Sequence, residues 1–135
     1  MASRVQLALN VSNIDEAVKF YERLFQTSPK REPGYANFAI SDPPLKLVLI
    51  ENADATTRLN HLGVEVFEQA AVAAAHERLA NQGLPVISEE SVDCCYAVQD
   101  KVWVSDPDGA PWETYVVLEH TDSMGACADD GCSCE

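Results

Sequence analysis

The sequence predicts an α+β fold, a single domain in which two β-α-β-β-β repeats share a cleft able to hold a metal. Three observations predict it. Alternating apolar and polar segments flank a segment of helical spacing, and this order occurs twice. An ungapped offset of 55 lays Gln6 on His61, Leu7 on Leu62, Val11 on Val66 and Glu22-Arg23-Leu24 on Glu77-Arg78-Leu79. Later, an offset of 64 lays Ser41-Asp42-Pro43 on Ser105-Asp106-Pro107, and one of 67 lays Pro44 on Pro111 and Lys46 on Glu113.

The elements follow in order. Arg4 to Val11 alternates Val5, Leu7, Leu9 and Val11 with Gln6, Ala8 and Asn10, which predicts a strand. Ser12 followed by Asp15 marks a helix start, and Ile14, Val18, Tyr21 and Leu24 recur at helical spacing. The segment "SPKREPG" reads as turns, and "YANFAI" (35–40) and "LKLVLIE" (45–51) as strands separated by "SDPP". In the second repeat "NHLGVEV" (60–66) is a strand, and Glu68 to Asn81 a helix stopped by Gly83. "LPVIS", "YAVQDKVWV" and "PWETYVVL" complete it, with the turn "SDPDGA" between the last two. The repeats span about 4–56 and 57–119 within one domain, 1–119, because so short a unit is marginal alone. Residues 120–135, acidic and rich in small residues and Cys, read as a flexible tail.

Composition limits the function. An apolar fraction of 47% with 23% charged residues is that of a globular protein. A formal charge of -13, with no Lys or Arg after Lys101, excludes nucleic acid as a partner, since a polyanion needs a basic stripe. The longest apolar run, Ala70 to Ala75, is too short to span a bilayer, and no basic flank leads into an apolar leader. A cytoplasmic location is therefore expected, where the five cysteines are thiols available to metals, metalloids or chemistry.

Strand parity selects candidate ligands. If Val5, Leu7 and Leu9 face a helix, Gln6 and Ala8 occupy the opposite face of the sheet, as do His61 and Gly63, and Glu113 with Tyr115. Gln6, His61 and Glu113 then converge, with Ala8 and Gly63 leaving room beside them. An imidazole, a carboxylate and an amide oxygen suit a divalent metal such as Fe(II), and three protein ligands leave positions open. Taken singly, Gln6 reads as a solvent-facing strand residue and Glu113 as a surface charge. Their repeat-equivalent placement is what joins them. His76, offset from Tyr21, reads as structural.

The neighbouring Cys94 and Cys95 pose a separate question, because a regular strand sends adjacent side chains to opposite faces. If both thiols hold one soft ligand, the backbone there leaves regular extended geometry, on an irregular segment beside the cleft. Lys101 reads first as a solvated strand lysine. Its nearness in sequence to the thiols makes it, with Tyr96, a candidate substrate contact. Cys127, Cys132 and Cys134 are either a soft-ligand cluster or a tail without specific role.

These residues carry a resemblance. The β-α-β-β-β duplication with ligands on the first strand of each half and on the last strand resembles the vicinal oxygen chelate superfamily. More closely, "VQLALNVSNIDEAVKFYERLF", "GYANFAISDPPLKLVLIE", "LNHLGVEV" and "CCYAVQDKVWVSDPDGAPWETYVV" resemble the organoarsenical C–As lyases, over roughly residues 4 to 118. Cadmium-induced proteins share much of the pattern. The resemblance implies a non-haem Fe(II)- and O2-dependent enzyme that removes methyl or aryl groups from trivalent organoarsenicals and releases arsenite. It implies Gln6, His61 and Glu113 as Fe(II) ligands and Cys94 with Cys95 as the organoarsenical site; a homodimer is allowed.

A rival from another class is a non-catalytic thiol protein sequestering Cd(II) or As(III) through Cys94, Cys95 and the tail. A third reading is a glyoxalase-like isomerase or a drug-sequestering protein. Lys46, standing where a fourth ligand would be, argues against the isomerase.

Overall fold

A computed structural model describes residues 3–94 and 97–120. Its elements are β1 (Ser3–Val11), α1 (Ile14–Phe25), β2 (Lys30–Glu32), β3 (Tyr35–Ile40), β4 (Leu45–Glu51), β5 (Leu59–Val66), α2 (Gln69–Asn81), β6 (Ile87–Cys94), β7 (Ala97–Ser105) and β8 (Pro111–His120). The order is β-α-β-β-β, twice. All strands join one sheet in the order β2-β3-β4-β1-β5-β8-β7-β6. Strands β1 and β5 pair antiparallel at its centre, and each is flanked on its other side by a parallel partner, β4 and β8 respectively.

Parity divides the sheet into two faces. On one, α1 packs Ile14 and Val18 against Phe38, Ile40, Leu47 and Leu49, with Leu7 and Leu9 alongside. On the same face α2 packs Val72 and Ala75 against Val66, Val102 and Val116. Burial of side chains of this size contributes roughly 1.5–3 kcal/mol each, which holds the helices and leaves the opposite face to polar residues. There the small apolar cluster of Ala8, Tyr35, Val48 and Ile50 lies next to Gln6, His61 and Glu113. Among the described residues no helix is long and apolar enough to cross a membrane.

The structure differs from expectation in three element boundaries and in the burial of one lysine. The N-cap of α1 is Asn13, whose Oδ1 accepts from the Glu16 N–H at 3.0 Å, rather than Ser12. Part of "SPKREPG" forms β2, an edge strand paired with β3. β6 begins at Ile87, later than "LPVIS" suggests, and its register with β7 shifts between Glu89 and Val92. Lys101 is buried, which overturns the solvated reading. The expected stop of α2 is present: Gln82 caps it, and Gly83 takes a φ of +80°, a left-handed conformation that suits glycine.

Candidate metal site and cleft

Three adjacent strands bring Gln6, His61 and Glu113 together. β1 carries Gln6 opposite Gly63 of β5, β5 carries His61 opposite Ala8, and Gly63 in turn lies beside Glu113 of β8. The three side chains belong to residues exposed by only 5%, 1% and 3%. His61 Nε2 lies 2.8 Å from Glu113 Oε2 and 3.1 Å from the Gln6 amide nitrogen, which donates to that same Oε2 at 2.5 Å. Gly63 permits the approach: a Cβ there would sit 2.9 Å from Glu113 Cγ, 3.0 Å from its carbonyl oxygen and 3.1 Å from Gln6 Nε2.

Each of the three is held from behind. The Tyr115 hydroxyl donates to Gln6 Oε1 at 2.5 Å. Burial, reinforced by the Glu65 and Glu113 charges, pushes this phenol well above its ordinary range and so keeps it protonated. The other ring nitrogen of His61, Nδ1, lies 2.8 Å from Asn60 Oδ1, and Trp103 packs edge-on against the ring with centroids 5.5 Å apart. Lys101 Nζ lies 3.0 Å from Glu113 Oε1. Burial alone would raise the Glu113 carboxyl, but the Lys101 ammonium and the His61 contact outweigh it and hold the group down to about 2.

This donor set fits a divalent cation. Among the described residues no three His, Cys, Asp or Glu side chains gather, and the donor beside His61 and Glu113 is the Gln6 amide. Gln6 presents Nε2 toward His61 and Glu113, and an amide nitrogen has no lone pair to offer. A half-turn of the carboxamide exchanges its ends. The Tyr115 hydroxyl accepts from Nε2 as readily as it donates to Oε1, and Oε1 then joins Nε2 of His61 and Oε2 of Glu113 as three donors of mixed N and O type.

A cleft of about 560 Å³, including its open mouth, lies over this cluster. Val48, Ala97 and Val117 form its apolar wall, and Lys46 and Gln99 contribute polar groups. Lys46, in register with Gln6, is buried and ion-paired with Glu65 at 3.6 Å; burial lowers its pKa and Glu65 partly restores it. Lys101 is not on the cleft wall but packs against Glu113 and lies over Trp103 at 5.5 Å. Cys94 is the last residue of β6 and pairs in register with Ala97 of the wall. Cys95, Tyr96, Cys127, Cys132 and Cys134 lie outside the described residues.

Residues 4–114 match the model of the Glyoxalase/Bleomycin resistance protein/Dioxygenase superfamily. This chain belongs to that superfamily. It is 56% identical over 132 residues to a trivalent organoarsenical cleaving enzyme of Thermomonospora curvata, covering 96% of this chain and 87% of the relative. It is 54% identical over 125 residues to cadmium-induced protein CadI of Mycobacterium tuberculosis, covering 92% and 82%. Its fold is similar to the 2,3-dioxygenase LapB from Pseudomonas sp. KL28, with a TM-score of 0.66 at 18% identity, over 90% of this chain and 43% of that one.

Within the superfamily fold, the sequence gives Tyr115 away by parity, two residues from Glu113 on the same face. Asn60 carries no such signal. As the residue before His61 it belongs to the other face of a regular strand, and only a break in register turns it inward.

Proposed function

We propose that this chain breaks the carbon–arsenic bond of trivalent organoarsenicals such as methylarsenite and releases inorganic arsenite, with Fe(II) held by Gln6, His61 and Glu113 and O2 as co-substrate. The convergence of an imidazole nitrogen, a carboxylate oxygen and an amide beneath a cleft carries this reading. The name of the Thermomonospora curvata relative supports the substrate class. Fe(II) bound there would supply one-electron chemistry with O2, which a closed-shell arsenical cannot begin unaided.

The chain's own residues bind and orient. Trivalent arsenic is a soft acceptor, and a species R–As(OH)2 exchanges both hydroxyls for the thiols of Cys94 and Cys95, releasing two waters. The first bond raises the effective concentration of the second thiol. The apolar wall of Val48, Ala97 and Val117 receives R and displaces water from it. Lys101 neutralises one carboxylate oxygen of Glu113 and leaves the other facing His61. For a methyl group, CH3As(OH)2 + O2 → CH2O + As(OH)3 balances. Carbon gives four electrons to O2, one oxygen ends on carbon and one on arsenic, and arsenic stays trivalent. A cytoplasmic setting keeps the thiols reduced.

The similarity to a cadmium-induced protein favours a second reading, sequestration of Cd(II) or As(III) by the thiols. Sequestration needs neither Fe(II) nor O2 and survives Glu113→Gln. The test is arsenite release from methylarsenite by Fe(II)-loaded protein with and without O2. Oxygen-dependent release is expected; tight binding without conversion in air moves the assignment to sequestration.

A further inference from the structure

We propose that Asn60, aligned by Asn10, keeps a proton on Nδ1 of His61 and so reserves Nε2 for the metal. The inference deepens the metal site proposed above and rests on it; Asn60 and Asn10 are positioning residues within it.

β1 and β5 pair without interruption from Ser3↔Val66 to Ala8↔His61, and the next pair is Leu9↔Leu59. Asn60 is therefore the extra residue of a β-bulge, a device that re-aims one side chain. In a regular strand it would point away from His61. Here its Oδ1 lies 2.8 Å from Nδ1 of the neighbouring ring.

The polarity of this contact is fixed from the far end. The Thr57 carbonyl can only accept, and Asn10 Nδ2 donates to it at 3.1 Å. Asn10 Oδ1 is thereby turned toward Asn60, whose Nδ2 donates to it at 3.0 Å. Asn60 Oδ1 is left toward His61, and a carboxamide oxygen accepts only. Nδ1 must then carry hydrogen. Asn10 is itself anchored, because its backbone N–H donates to the Arg58 carbonyl at 2.7 Å. A backbone carbonyl cannot reverse, so it sets the direction of the whole chain of bonds.

The consequence lies at Nε2. Left to itself, a neutral ring gains by placing its proton on Nε2, where Glu113 Oε2 waits at 2.8 Å. That tautomer blocks the nitrogen facing Gln6 and Glu113. The relay opposes it by making Nδ1 the donor, and outer partners of ligating histidines commonly change metal affinity by about 10–100-fold.

The experiment uses 15N-labelled full-length protein and Zn(II), which is diamagnetic. Long-range proton–nitrogen correlation spectra of the metal-free protein, with the His61 ring in its neutral form, are expected to show Nδ1–H in the wild type. A predominant Nε2–H tautomer there overturns the proposal without any variant. Asn60→Ala is expected to lose the Nδ1–H preference and bind Zn(II) about 10–100-fold more weakly. Asn60→Asp still accepts from Nδ1 and is expected to keep the tautomer. An unchanged tautomer in Asn60→Ala overturns the relay. Undiminished Zn(II) affinity in His61→Ala instead overturns the metal site on which the relay rests.

Discussion

Lys101 Nζ and Glu113 Oε1 lie 3.0 Å apart with both atoms shut away from solvent. The contact is an ion pair outside hydrogen-bond geometry, and neither atom has a hydrogen-bond partner among the described residues. Attraction between opposite charges in a poorly solvated place is what lets a lysine be buried here. It also divides the carboxylate: Oε1 is neutralised from behind, and Oε2 faces His61 and Gln6.

Lys101→Met leaves the buried Glu113 carboxylate with only its His61 and Gln6 contacts to offset its burial cost. The Glu113 carboxyl is held from the ordinary 4.5 down to about 2 in the folded protein. A depressed carboxyl pKa contributes stability that is present above 4.5 and is lost as pH falls toward 2. With Lys101 gone, burial pushes the group up and the loss begins at higher pH. We expect metal-free Lys101→Met to be less stable at neutral pH by about 3–5 kcal/mol. Urea unfolding across pH checks both. An acid limb at the same pH in both proteins contradicts the pairing.

Gly63→Ala places a Cβ 3.0 Å from the Glu113 carbonyl oxygen and 2.9 Å from its Cγ. A backbone atom cannot swing aside, so β5 and β8 must separate or Glu113 must tilt. We expect a stability loss of about 1–3 kcal/mol in urea unfolding, together with weaker divalent-metal binding by calorimetry. Binding equal to wild type would show that the close β5–β8 approach does not shape the site.

Tyr115→Phe removes the hydroxyl that serves either end of the Gln6 amide. A buried amide atom then goes unpartnered, at about 1–3 kcal/mol, and Gln6 loses the group that orients it. The expected outcome is lower stability with Zn(II) affinity reduced further than in Tyr35→Phe. Tyr35 also lines the cleft, and its hydroxyl accepts from Asn37 Nδ2.

Cys94→Ser and Cys95→Ser are each expected to abolish tight binding of trivalent methylarsenical while leaving Fe(II) or Zn(II) binding unchanged, since the proposed metal donors Gln6, His61 and Glu113 lie on β1, β5 and β8. Parallel titrations with the arsenical and the metal separate the two. Retained arsenical affinity in both variants would remove the thiols from the mechanism.

Much of this arrangement was legible in the sequence, because period-two alternation tells which residues share a sheet face. Gln6, His61 and Glu113 fall on one face by this alternation alone. β2 was hidden because Lys30–Glu32 shows no apolar alternation and needs only backbone pairing with β3. Lys101 misleads for a related reason: its own polarity says solvent, and only a carboxylate from the adjacent strand makes its burial tolerable. The bulge at Asn60 arises from how β1 and β5 pair, which no single strand records.

The central claim is that the Gln6, His61 and Glu113 cluster drives oxidative cleavage of a carbon–arsenic bond. The most direct measurement counts O2 consumed, formaldehyde formed and arsenite released when Fe(II)-loaded protein acts on methylarsenite, beside the His61→Ala variant. The account predicts equal amounts of all three for the wild type and none for the variant. Arsenite released without O2 uptake, or undiminished in His61→Ala, would contradict it.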